Sequence, residues 1–164
     1  MKGKAVRLGN NISTDQIIPG RFAHLRSNLP ELAKHVFEDL SPTFRSQVSP
    51  GDFLVAGKNF GQGSSREHAP LVIKMAGISA ILAQSAARIF FRNAYNIGLP
   101  VLICDTTQIE DGDLLEIDLA RGSIHNLSRN SHLSSGQVPR VMLRILEEGG
   151  IIPYIKRYGG FEIK

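Results

Sequence analysis

The stretch from residue 53 to residue 104 limits the fold more than any other, because its hydrophobic period changes repeatedly at short intervals. "FLVAG" (53–57), "ISAILA" (78–83) and "LPVLIC" (99–104) are short apolar runs, as expected of strands covered on both faces. Between them lie "APLVIKMAG" (69–77) and "SAARIFFRNAYNIG" (85–98), helical in spacing and closed by Gly77 and Gly98. Strand, helix, strand, helix, strand at this pitch predicts parallel βαβ units with right-handed crossovers.

The flanks are less periodic. "KAVRLGNNISTDQIIPG" predicts a short strand, a polar loop and a brief apolar strand ending at Pro19–Gly20, and "RFAHLRSNLP" predicts a loop. Residues 30–40 carry Leu32, Val36, Phe37 and Leu40 at helical spacing, with Pro30 suited to a first turn. "GDLLEIDLARGSIHNL" alternates apolar and polar residues around Arg121–Gly122, a hairpin pattern. "PRVMLRILEEGG" predicts a last amphipathic helix, and "IIPYIKRYGGFEIK" a strand or tail. With no internal repeat, low-complexity segment or linker, residues 1–164 read as one mixed α/β domain.

Composition narrows the function. Hydrophobic residues make up 42% and charged residues 21%, enough apolar surface for a core. No apolar run approaches the roughly 20 residues of a membrane span, and "MKGKAVRLGNN" lacks the apolar region of a signal peptide. The cytoplasm is therefore the expected location, with no membrane partner. The net charge of +4 comes from scattered Lys and Arg, with no basic run, aromatic RNA-binding strand or Cys/His finger. Small anions fit this balance and nucleic acid does not. One cysteine, Cys104, provides neither a disulfide nor the thiolates of a cluster. The five histidines show no H-x-H or H-x-x-x-H pair, so no metal site is expected from this chain alone.

The chemistry concentrates in "GKNFGQGSSREHAP" (57–70). Pro70 is tolerated only near a helix start, which sets that start near Glu67–Ala69 and leaves Ser64, Ser65 and Arg66 at or just before it. A helix N-terminus exposes unpaired N–H groups and partial positive charge, and Arg66 adds a planar cation suited to a carboxylate. Gly61 and Gly63 let the backbone approach a ligand. Ser64 and Glu67 also fit an S-x-x-E capping box, which would make the pair purely structural. G-x-G here extends to neither G-x-G-x-x-G nor G-K-[ST], and the G-x-S-x-G elbow of serine hydrolases is absent. A serine could instead serve as a base in its ionised form, where amides and a guanidinium stabilise the oxygen. Such a base suits a weakly acidic proton beside a carboxylate. An anion-binding module without catalysis remains the competing class.

Three motifs together, "NNISTDQIIPGRF", "GKNFGQGSSREHAP" and "ARIFFRNAYNIGLP", occur in an order that resembles the small subunits of the aconitase superfamily's two-subunit isomerases. The nearest likeness is to 3-isopropylmalate dehydratase (isopropylmalate isomerase) small subunits, with homoaconitase small subunits as near relatives. The resemblance implies an aconitase-type swivelling β/β/α domain that docks on a large subunit carrying a [4Fe–4S] cluster through its own cysteines. It implies a hydro-lyase active only as the complex, on a small di- or tricarboxylate. It makes Ser64 the proton-abstracting base and Arg66 the anion-stabilising carboxylate ligand, with Ser65 beside it and Thr14 and Asp15 in the supporting loop. The segment after "IIPGRF", including His24 and Arg26, would read the substrate's side chain. An arginine there goes with an extra carboxylate, because a desolvated guanidinium facing an isopropyl group is left unpaired. Isopropylmalate, homoaconitate and related dialkylmalates thus stand as alternatives. Gln62 departs from a frequent Cys, and Ala86 from a usual Phe.

Overall fold

The computed structural model describes residues 1–160. Its strands are β1 (Lys2–Arg7), β2 (Phe53–Ala56), β3 (Ala80–Ala83), β4 (Val101–Ile103), β5 (Leu114–Asp118), β6 (Ser123–Asn126) and β7 (Ser131–Ser134). Its helices are α1 (Thr14–Ile17), α2 (Leu29–Leu32), α3 (Phe44–Gln47), α4 (His68–Met75), α5 (Arg88–Asn96), α6 (Arg140–Glu147) and α7 (Ile151–Tyr158), with a 3-10 segment over Gly20–Ser27.

The strands form one mixed sheet in the order β4-β3-β2-β1-β5-β6-β7. The half from β4 to β1 is parallel and the half from β1 to β7 antiparallel. β1 belongs to both: Ala5–Arg7 pair with β2, and Lys2–Lys4 pair with β5. All four residues of β2 and of β3 are buried, as strands covered on both faces demand. The crossovers through α4 and α5 step in one direction across the sheet, so right-handedness sets both helices on one face, where they pack together. α6 and α7 pack on α5 in turn. Among the described residues no helix is long and apolar enough to cross a membrane.

The βαβ series and the hairpin at 119–122 match the sequence-based expectation; several other segments differ. "RFAHLRSNLP" is not a loop: Gly20–Ser27 winds as a 3-10 helix, and α2 starts at Leu29, where the Asn28 side chain accepts from the Glu31 N–H. The short helix α3 was not expected. Ile17–Ile18 are not a strand, because Ser13 and Gln16 form a reciprocal capping box that starts α1. The 30–40 segment is not one α-helix: α2 ends at Leu32, a 3-10 turn continues over Ala33–His35, and Phe37 takes a positive φ of 58°. That break turns Leu32, Val36 and Phe37 all into the core. Short β7 was not expected. Residues 151–158 form α7 rather than a strand or tail, with Pro153 in the first turn, where its missing N–H costs no helical bond. The rest of that expectation, residues 161–164, lies outside the described residues.

Candidate active site

Three loops that follow the C-terminal ends of β1, β2 and β3 meet at one edge of the parallel half, where open α/β sheets bind ligands. The glycine-serine loop runs between the other two. On one side the Gly61 N–H donates to Ile12 O and the Thr14 N–H to Gln62 O, each at 2.8 Å. On the other the Phe60 N–H donates to Ser85 O at 2.9 Å and the Ala87 N–H to Phe60 O at 2.8 Å. The loop thus behaves as a short central strand beyond the sheet. Gln62 adds a bond from Nε2 to Asn11 O at 3.0 Å, so the residue that departs from a frequent Cys ties two loops together.

Close approach of the loop to α5 requires a glycine. Gly61 has φ +72°, and a Cβ there would lie 2.3 Å from Phe90 Cγ. Phe90 is buried and packs edge-on against Phe60 at 5.1 Å between centroids. The result is a cleft of about 320 Å³ with two walls. Gly61, Gly63, Ser64, Ser65, Arg66 and Thr14 form one wall, and Ala87–Phe90 with Asn93 form the other.

Ser64 and Ser65 are exposed on the loop, and α4 begins only at His68 with Glu67 as its N-cap. No side chain caps that helix, so Ser64 and Glu67 do not form the structural capping box that their spacing permits. The Thr14 hydroxyl donates to Ser64 O at 2.9 Å and fixes the loop from below. Arg66 donates from one terminal nitrogen to Ile18 O at 2.8 Å and from the other to Asp15 Oδ1. Its side chain is 20% exposed, that of Asp15 62%. Asp15 therefore orients Arg66 and lies outside the cleft lining.

His24 and Arg26 are exposed in the 3-10 segment and do not line the cleft. His24 Nδ1 contacts Arg21 O at 3.0 Å, and the Arg26 side chain makes no hydrogen bond or ion pair among the described residues. The cleft also holds residues that sequence reasoning left aside. Arg88 and Arg92 lie four apart on one helix face, a spacing that reads as a solvated surface or, for Arg88, as a reach toward a docking face. Asn93, Ile89 and Phe90 carry no sequence signal, yet Arg88, Ile89, Phe90 and Asn93 line the cleft. The pairing of Phe60 with Ala86, together with the packing of Phe60 and Gly61 on Phe90, brings the start of α5 to the serines.

The residues of this chain do not fit an iron–sulfur cluster. Cys104 is buried after β4, and burial, with a contribution from Asp105, pushes its thiol up to about 12, far from the thiolate a cluster needs. Among the described residues no three His, Cys, Asp or Glu side chains gather as metal ligands.

Comparison with known proteins bears on the family and the fold. The model of the aconitase C-terminal domain matches residues 34–105. The chain is 57% identical to 3-isopropylmalate dehydratase small subunit 2 of Archaeoglobus fulgidus, across 99% of both chains. It is 52% identical to small subunit 1 of the same enzyme from Thermotoga maritima, across 98% of both. The crystal structure of 3-isopropylmalate dehydratase (leuD) from Methanocaldococcus jannaschii superposes with a TM-score of 0.90 at 42% identity, covering 96% of this chain and 94% of that one. The fold is accordingly the aconitase-type swivel domain, and the chain belongs to the family of 3-isopropylmalate dehydratase small subunits.

Proposed function

We propose that the chain is the small subunit of a hydro-lyase that interconverts 2- and 3-isopropylmalate by dehydration and rehydration, a step of leucine biosynthesis in the cytoplasm. It would act as one swivel domain over residues 1–164, docked on a large subunit in a heterodimer or heterotetramer. The large subunit would carry the [4Fe–4S] cluster that the fold family implies. The reading is supported by the small-subunit names of relatives spanning nearly the whole chain. The observation that carries it is a serine pair that lines one cleft together with Arg66 and the cationic start of α5.

This chain's part is proton transfer and anion binding. Ser64 Oγ takes the proton from the carbon next to a carboxylate and returns a proton in the rehydration step. A serine oxygen holds negative charge only with strong compensation, and Arg66 and the N-terminal end of α5 provide it. Asp15 and Ile18 O hold Arg66 in one orientation, and Ser65 contacts the substrate beside it. Isopropylmalate suits the apolar wall of Ala87, Ile89 and Phe90. A homoaconitate substrate has no such support, since Arg26 is not among the residues lining the cleft.

Co-expression with a cluster-bearing large subunit tests the proposal. The mixture interconverts the isopropylmalates and the isolated chain does not. In the Ser64→Ala complex, assembly persists and kcat falls on the order of 10³-fold. Full activity of the isolated chain, or an unaffected Ser64→Ala complex, refutes the proposal.

A further inference from the structure

We infer that Arg88, the first residue of α5, is a second substrate-binding cation of this site, holding one carboxylate of the dianionic substrate. The inference rests on the dehydratase reading above.

A malate-type substrate carries a carboxylate on each of its two reacting carbons, and a serine base adds a third negative centre in the transition state. Arg66 cannot face all of these. Its two terminal nitrogens are already held by Asp15 Oδ1 and Ile18 O, and its side chain is four-fifths covered. Arg88 is exposed at the start of α5 and lines the same cleft as Ser64 and Ser65. Its guanidinium makes no hydrogen bond or ion pair among the described residues, so both edges of the fork are open.

The local electrostatics favour an anion there. The N–H groups of Arg88, Ile89 and Phe90 precede the first intrahelical bond, from the Phe91 N–H to Ala87 O at 2.9 Å. Ala87 gives no side-chain cap, and no acidic residue sits in the first turn of α5. A helix N-terminus ordinarily collects carboxylates, yet this one begins with a cation. A cation at that position meets a mildly unfavourable helix-end field, which an anion bound between the guanidinium and the helix end would offset. The cleft holds space for that anion, and Asn93 offers an amide one turn further on. Arg92, four residues along, lies outside this lining. A planar fork binds a carboxylate through two parallel bonds, which fixes the substrate's orientation as well as its charge.

Arg88 also borders a shallow apolar surface with Phe91, Arg92 and Ile103, so a role in docking the large subunit is the competing assignment. Steady-state kinetics of the reconstituted complex at saturating large subunit separate the two. In Arg88→Ala, KM for 3-isopropylmalate rises on the order of 10- to 100-fold while kcat changes far less. Arg88→Lys recovers part of the loss as a point charge, and free guanidinium ion restores binding to the alanine variant. Arg92→Ala leaves KM unchanged, and titration with large subunit shows wild-type assembly for every variant. An unchanged KM in Arg88→Ala overturns the inference, as does a loss removed by adding more large subunit, which would make Arg88 a docking residue. Ser64→Ala, run in parallel, tells the two levels apart. If it is dead while Arg88→Ala binds normally, only the Arg88 assignment fails; if it stays active, the dehydratase reading fails and this inference with it.

Discussion

Gly61→Ala probes the contact on which the cleft depends. Two costs add at this position. The backbone has φ +72°, and a residue with a Cβ in that region loses about 1–2 kcal/mol relative to glycine. The new methyl would also lie 2.3 Å from Phe90 Cγ, inside any real contact distance. Phe90 is 2% exposed and braced edge-on by Phe60, so overpacking adds about 1–3 kcal/mol. The sum is roughly 2–5 kcal/mol, which for a chain of this size lowers Tm by roughly 5–15 °C. Gly112→Ala supplies the internal control. Gly112 has φ +80° and nothing within 4 Å of its added Cβ, so only the backbone cost applies, a fall of a few degrees. Thermal melts of the two variants beside the parent isolate the steric part by subtraction. In the reconstituted complex Gly61→Ala also lowers kcat/KM, because relief of the overlap moves the serines away from α5. Equal destabilisation of the two variants would refute the claim that loop and helix are rigidly pressed together.

Two further outcomes follow from buried groups. Asp113 is 7% exposed; burial alone would raise its pKa, but bonds from the Glu110 N–H, Asn126 and Arg129 outweigh burial and hold it below the ordinary carboxylate range. A depressed folded pKa gives stability that is present above the unfolded value and is lost as pH falls through the folded one. Asp113→Asn therefore destabilises the protein by about 1.5–3 kcal/mol at pH 7, and the gap closes in acid below about pH 4; a gap constant with pH in chemical denaturation contradicts this assignment. Cys104, with its thiol pushed up to about 12, is thiolate in only about one molecule in 10⁴ at pH 8, so a disulfide reagent labels the native chain slowly and the denatured chain at once. Native labelling at the free-thiol rate would show that the site is open.

The sequence made the parallel half of the sheet legible, because β2, β3 and β4 are continuous apolar runs and glycines close the helices between them. It also pointed to the serine loop, and Ser64, Ser65 and Arg66 do line the cleft. What it concealed depends on single positions with competing local chemistry. Ile17–Ile18 look like a strand until the Ser13–Gln16 capping box is weighed against them. "IIPYI" opens with β-branched residues and a proline, yet Gly150 before it and Gly159 after it frame a helix. Arg88 is hidden more deeply. Its place in the cleft follows from a bridge between Phe60 and Ala86, a pairing across 26 residues that no spacing rule reports. Arg26 shows the reverse: its expected role is legible in the sequence, while in the structure it is exposed and not among the residues lining the cleft.

β1 pairs at once with β2 and with β5, and this double membership governs the order in which the sheet can be completed. Lys2 pairs with Glu116, so the seam between the halves closes only when residues 114 positions apart meet. During synthesis β1 emerges first and waits, with one edge open to any passing strand, until the far end of the hairpin exists. Contacts of such sequence separation slow folding, and the exposed edge is an aggregation template throughout the delay. The six residues that unite the sheet are thus also the segment of the nascent chain in greatest need of protection.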